Sequence, residues 1–153
     1  PLARRSLPPF EVAVDAFIPE EYVPSETQKI TLYKRIAGLQ SLDEVREMTE
    51  ELADRFGTVP KPVKRLLEVM RVRARAAEIG VRRVAATKDA VLVEFDSGHI
   101  LSRKARQTLA AEFGSRLQFA WRDQPAVTLA LAPDVERDAV AAAQHFLKAL
   151  GEA

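Results

Sequence analysis

The chain contains no cysteine, which removes a thiolate nucleophile, a redox pair and a cysteine zinc site together. It has only two histidines, His99 and His145. They lie far apart in sequence, and a catalytic histidine needs an oriented partner, so both read as surface or half-buried side chains. No run approaches the roughly 18 apolar residues of a membrane helix, and the N-terminal PLARRSLPP lacks the apolar core of a signal peptide. Neither a GxxxxGK(S/T) phosphate loop nor a GxGxxG fingerprint is present. Ser97-Gly98-His99 lacks the GxSxG elbow of a hydrolase and reads as a turn. Net charge is nearly absent as well: 23 Lys plus Arg stand against 22 Asp plus Glu, so no overall field draws the chain to a polyanion. These absences point to a cytoplasmic domain with no catalytic residues, no metal site, no cofactor of its own and no membrane contact. Any charge logic has to be local.

The 153 residues are 47% hydrophobic, enough for one domain that buries roughly 68–70% of its unfolded surface. Residues 1–9 are proline-rich, basic and aperiodic, and read as a linker, with a single domain over 10–153. Beginning on a proline in such a segment, the chain reads as a fragment of something longer. FEVAVDAFIP alternates in the manner of a strand. SETQKITLYKRIAG follows as a helix with Ser25 as N-cap, Gly38 as stop, and Ile30, Tyr33, Ile36 and Ala37 at helical spacing. Ser41 and Glu44 form a capping box for a second helix, whose apolar stripe is Leu42, Val45, Met48, Leu52 and Phe56. A third starts near Lys61, where Pro60 and Pro62 are tolerated, and runs to Gly80 with Val63, Leu66, Leu67, Met70, Ala74 and Ala77 inward. The second helix is acidic and the third basic, which predicts an antiparallel pair with complementary flanks.

After Gly80 the pattern shortens. Val81–Ala86 and Ala90–Phe95 read as a hairpin around Thr87-Lys88-Asp89. A helix over Ser102–Phe113 precedes strands at 117–121 and 127–131, and a last helix is predicted from Pro133-Asp134 to Gly151. The expected fold is α+β: a helical first half packed with a small, mainly antiparallel sheet and a C-terminal helix.

Two charged stretches hold candidate sites. In MRVRARAAEIGVRR, Arg71, Arg75, Arg82 and Arg83 are candidate phosphate contacts for a nucleic-acid-binding appendage; the plain alternative is a solvated helix balanced by its acidic neighbour. In ELADRFGTVP, Glu51 and Arg55 stand one turn apart and form an i,i+4 pair, with Asp54 beside them. Acids in a last turn oppose the helix dipole. A surface ion pair before a glycine cap and a docking surface for another protein both account for the cluster. A docking role for the C-terminal helix is a third reading of the chain.

Three stretches in order, AFIPEEYVP (16–24), QKITLYKRIA (28–37) and EELADRFGTVP (50–60), resemble the C-terminal domain of the bacterial transcription-repair coupling factor family (Mfd). Ser25 departs from the acid the family commonly has after the proline. The resemblance implies a large parent that recognises stalled RNA polymerase, displaces it with an ATP-driven double-stranded DNA translocase, and recruits the excision-repair protein UvrA. ATP and magnesium would belong to motor domains elsewhere in that parent. It further implies an autoinhibitory domain that packs on the N-terminal UvrA-binding module, masks it and restrains the motor. The family's contact residues match Glu51, Asp54 and Arg55 here.

Overall fold

Two serines start the first two helices by the same chemistry. In the computed structural model, which describes residues 6–132 and 134–153, the Ser25 hydroxyl accepts from the Gln28 amide at the start of α1 (Glu26–Ala37). Ser41 accepts from the Glu44 amide at the start of α2 (Leu42–Phe56). Each satisfies one of the amides a helix leaves open at its start. A third helix, α3 (Lys61–Glu78), begins on Pro60 with no side-chain cap. Its second residue, Pro62, has no amide to satisfy.

The α2 stripe is as the spacing predicts: Val45, Met48 and Leu52 are buried and Leu42 and Phe56 half-buried. The α1 stripe is not. Leu32 and Ile36 are the buried pair, whereas Ile30 is 49% and Tyr33 37% exposed. Both sets sit at helical spacing, and only the position of α2 and α3 selects between them. On α3 the expected inward Ala77 is exposed. Instead the helix buries two faces. Val63, Leu67, Met70 and Ala74 enter a core with α1 and α2, while Val72 and Ala76 enter a second core under the sheet.

That sheet has five strands in the order β1-β2-β3-β5-β4. β2 (Val81–Ala86) and β3 (Ala90–Phe95) form the predicted hairpin, with the Thr87 hydroxyl accepting from the Asp89 and Ala90 amides in its turn. β4 (Leu117–Ala120) and β5 (Ala126–Ala130) pair antiparallel, and β5 pairs antiparallel with β3. β1 (Phe10–Val12) is the parallel member, Phe10 facing Val84. It is far shorter than the alternating run predicts, because the chain soon leaves the sheet for α3, where the Phe17 amide donates to the Pro62 carbonyl.

One sheet face is covered by α4 (Arg103–Phe113) and α5 (Ala139–Glu152). Between α4 and β4 the chain makes one 3₁₀ turn, Gly114–Arg116. The last helix starts later than predicted, at a cap formed by Asp138, whose carboxylate accepts from the Val140 and Ala141 amides. Glu136 is occupied before that, accepting from the Ala132 amide and pairing with Arg116, so the preceding residues are held as a turn. Pro133 itself lies outside the described residues. Fold class is α+β with a mostly antiparallel sheet, as expected.

Of the segment read as a linker, residues 1–5 lie outside the described residues, and the remainder is seated on the domain. Leu7 is buried, the Arg73 guanidinium donates to the carbonyls of Leu7 and Pro8, and the Val84 amide donates to Pro9. The packed chain therefore begins ahead of Phe10.

Candidate functional site

The last turn of α2 is held by a tyrosine from an earlier segment. Tyr22 places its hydroxyl 3.0 Å from the carbonyl oxygens of both Leu52 and Gly57, occupying acceptors a helix leaves open at its end. Its ring packs on Phe56 with centroids 5.7 Å apart. Gly57 takes φ +88 and ψ −166, a region open essentially to glycine alone. The backbone at the helix exit is thereby tied through two carbonyls and one ring contact.

Upon that exit Glu51 is gripped twice. Arg35, in the last turn of α1, meets it as a fork, Nη1 at 2.5 Å from Oε2 and Nη2 at 2.7 Å from Oε1. Arg55 adds Nη1 at 2.9 Å from Oε2, the predicted i,i+4 pair. Arg35 first and Arg55 second hold the Glu51 carboxyl down at about 2, against an ordinary 4.5, so it stays charged in all but strong acid. Arg55 also lies over the Phe56 ring, 4.9 Å from its centroid. Asp54 is exposed, and among the described residues no cation reaches it.

The two carboxylates of the sequence cluster are thus unequal. Glu51 already receives two arginines of its own domain, while Asp54 faces solvent unmet. Arg35 escaped the sequence reading, although it stands in the last turn of a helix joined to α2 by the short link Gly38–Ser41. The complementary charged flanks predicted for α2 and α3 do not pair: among the described residues no ion pair joins the two helices, Glu51 turning to α1 and Arg65 to Glu68 and Asp138. Beside the cluster, Lys34, Arg35, Glu44, Glu47, Met48 and Glu51 line an open cleft of about 400 Å³ between α1 and α2.

These ties join the three motif stretches to one another. Tyr22 of the first reaches Leu52 and Gly57 of the third. The Ile18 amide of the first donates to Tyr33 of the second at 2.7 Å, and Arg35 of the second reaches Glu51 of the third. Neither tyrosine contact is readable from periodicity, because each is a long-range link made by one polar atom.

The four arginines of the basic stretch separate in space. Arg83 is matched by Glu11 and Glu94, each at 2.8 Å, and Arg82 lies 3.8 Å from Glu94. Arg71 and Arg75 line a different surface, a groove shared with α5. His99 stacks on Phe95 at 4.5 Å, and His145 sits 3.3 Å from Glu112. Among the described residues no group of three or more His, Asp or Glu could hold a metal ion, and no helix is long and apolar enough to cross a membrane.

Comparison with known proteins gives one consistent result. The TRCF domain family matches residues 12–105. The transcription-repair-coupling factor of Escherichia coli K12 is 29% identical over 117 residues, 71% of this chain and 10% of that protein. Its namesake from Bacillus subtilis 168 is 38% identical over 81 residues, 53% of this chain and 7% of that protein. The chain therefore spans a tenth or less of the curated relatives it matches. In three dimensions it is similar to the crystal structure of a C-terminal domain of transcription-repair coupling factor, with a TM-score of 0.78, 20% identity, and coverage of 98% of this chain and 95% of that one.

Proposed function

The chain belongs to the TRCF domain family, and on that premise we propose that it is a non-catalytic, autoinhibitory interaction domain of a transcription-repair coupling factor acting in the cytoplasm. In this reading it masks the N-terminal UvrA-binding module of its parent and restrains an ATP- and magnesium-dependent double-stranded DNA translocase. UvrA and RNA polymerase are then partners of the parent, reached through this domain only indirectly, and double-stranded DNA is the track of the parent's motor.

The observation that carries the reading is the α2 exit: Asp54 exposed and unmet beside the fixed Arg35-Glu51-Arg55 network. Asp54 offers an acceptor to a basic partner surface, and the network holds it in register. Glu51 enters as an anchor that already carries two guanidiniums, each on a side chain 42% exposed and with further N–H donors to offer carboxylates of the partner. Exposed ion pairs are individually weak and screened by salt. A latch that must open when polymerase arrives benefits from that weakness.

The test mixes this chain with the separately produced N-terminal module and measures association at low and moderate salt. A complex is expected that weakens with salt and with Asp54→Ala, and weakens further when Glu51→Ala is added. In the full-length parent the double variant should raise UvrA binding and ATP hydrolysis without polymerase. Unchanged UvrA affinity there, with the variant folded, would overturn the reading.

A further inference from the structure

Several arginines of this domain are neutralised internally, while Arg103, Arg106, Arg122 and Arg137 have no acid partner among the described residues. Arg35 has Glu51, Arg65 has Asp138 and Glu68, Arg83 has Glu11 and Glu94, and Arg116 has Glu136. Arg73 spends its donors on the carbonyls of Leu7 and Pro8. Against that background one groove stands out. Arg71 and Arg75 of α3 and Gln144, His145 and Lys148 of α5 line a narrow groove of about 140 Å³ floored by buried Val72. Among the described residues no carboxylate meets Arg71, Arg75 or Lys148. Acids stand at the margin: Glu112 of α4, 3.3 Å from His145, and Glu68, Glu78 and Glu152, each about one turn along its helix from Arg71, Arg75 and Lys148 respectively, none of them paired with those cations.

Arg71 and Arg75 are like charges one helical turn apart, and they repel each other. Lys148 is added from a second helix packed on the first, which increases that repulsion. Folding therefore gains nothing from bringing these charges together, and an external anion relieves it. We propose that the α3–α5 groove binds the phosphate backbone of duplex DNA, independently of the latch at the α2 exit.

The choice of partner follows from the lining. No Phe, Tyr or Trp borders the groove, so it offers no platform on which the bases of a single strand would stack. It also lacks the exposed apolar anchors that give protein interfaces their affinity. What it presents is a row of cations with one amide, the chemistry of backbone contact without base readout. Of the four arginines marked in the sequence, Arg71 and Arg75 belong to this surface. Arg82 and Arg83 are on the sheet, engaged by Glu94 and Glu11.

The experiment titrates a fluorescent DNA duplex with the 153-residue chain across a salt series. Three backbone contacts predict a loss of affinity of about 40-fold between about 50 and about 200 mM salt. With Arg71→Gln and Arg75→Gln together, affinity at the low end should drop and the salt-dependent loss should shrink to about 3-fold. Lys148→Gln, on an exposed side chain that the core does not use, should reduce the salt slope by about one contact's worth. Arg82→Gln should change nothing. The proposal fails if low salt shows no binding, if the double variant keeps the parental slope, or if Arg82→Gln does what the double variant should. Tighter binding of a single strand, or equal competition by polyglutamate, would likewise overturn the duplex assignment.

Discussion

The helical half and the sheet half each bury an apolar core, the larger under the sheet, and are held together differently. The sheet half is a backbone ladder: five hydrogen-bonded strands, with one register shift at Val81–Arg83 between β2 and β3, closed on one face by α4, α5 and the inner residues of α3. In the helical half no ladder joins α1, α2 and the entry segment. Beyond their shared apolar core, single polar atoms tie them, the Tyr22 and Tyr33 hydroxyls and the Arg35 fork on Glu51. A ladder tolerates change at any one side chain, whereas a few long-range polar ties make each of those residues matter. That contrast explains why the motifs legible in the sequence crowd into the first half.

Core truncation should produce the largest effect and tests whether the halves are separable. Phe146 is fully buried on the sheet side and Leu52 is 1% exposed on the helical side. Phe146→Ala should cost about 3–5 kcal/mol and Leu52→Ala about 2–5 kcal/mol in urea unfolding. Since α3 contributes to both cores, each variant should shift one common transition. Two resolved transitions would show that α3 does not couple the halves.

Next is the backbone at the α2 exit. Gly57→Ala adds a Cβ that meets nothing within 4 Å, so its penalty is conformational alone. At φ +88 it should cost about 1–3 kcal/mol, read from the unfolding midpoint. Gly80 offers a contrast on the sheet side, where a Cβ would come within 2.9 Å of His99 Nδ1. There Ala should also disturb the stacking of His99 on Phe95, visible in the His99 ring resonances.

Tyr22→Phe keeps the ring on Phe56 and removes only the hydroxyl. A loss of about 1 kcal/mol is expected, with faster hydrogen exchange confined to the last turn of α2. Uniform exchange across the sheet as well would contradict the idea of a local tie.

The smallest effect is on pH dependence. Glu51 titrates lower in the folded chain than in the unfolded one, so its ion pairs stabilise at neutral pH. That contribution is lost as pH falls from about 4.5 through about 2. Glu51→Gln should flatten this part of the acid-stability curve. An unchanged curve would mean that Arg35 and Arg55 contribute nothing measurable there.

How much of this was legible in advance depended on the range of the interaction. Ser25, Ser41 and Ser102 act within three residues of themselves, and each was a correct helix start. The hairpin at Thr87-Lys88-Asp89 is likewise local, as is the Glu51-Arg55 pair. Readings failed where two choices were locally equivalent. Leu32 against Ile30 on α1, Val72 and Ala76 against Ala77 on α3, and Asp138 against Pro133-Asp134 as the start of the last helix all satisfy the same periodicities or helix-start rules. Arg35 on Glu51, at a separation of 16 residues, had no periodic signature.

Caps, turns and stripes arise from neighbours a few bonds apart, and the chain's order of residues was sufficient for them. Which acid remains unpaired, and which arginines remain unneutralised, was settled only when distant segments packed. Charge pairing depends on distances of a few ångströms in space, and those distances exist only after the apolar cores have brought the helices together.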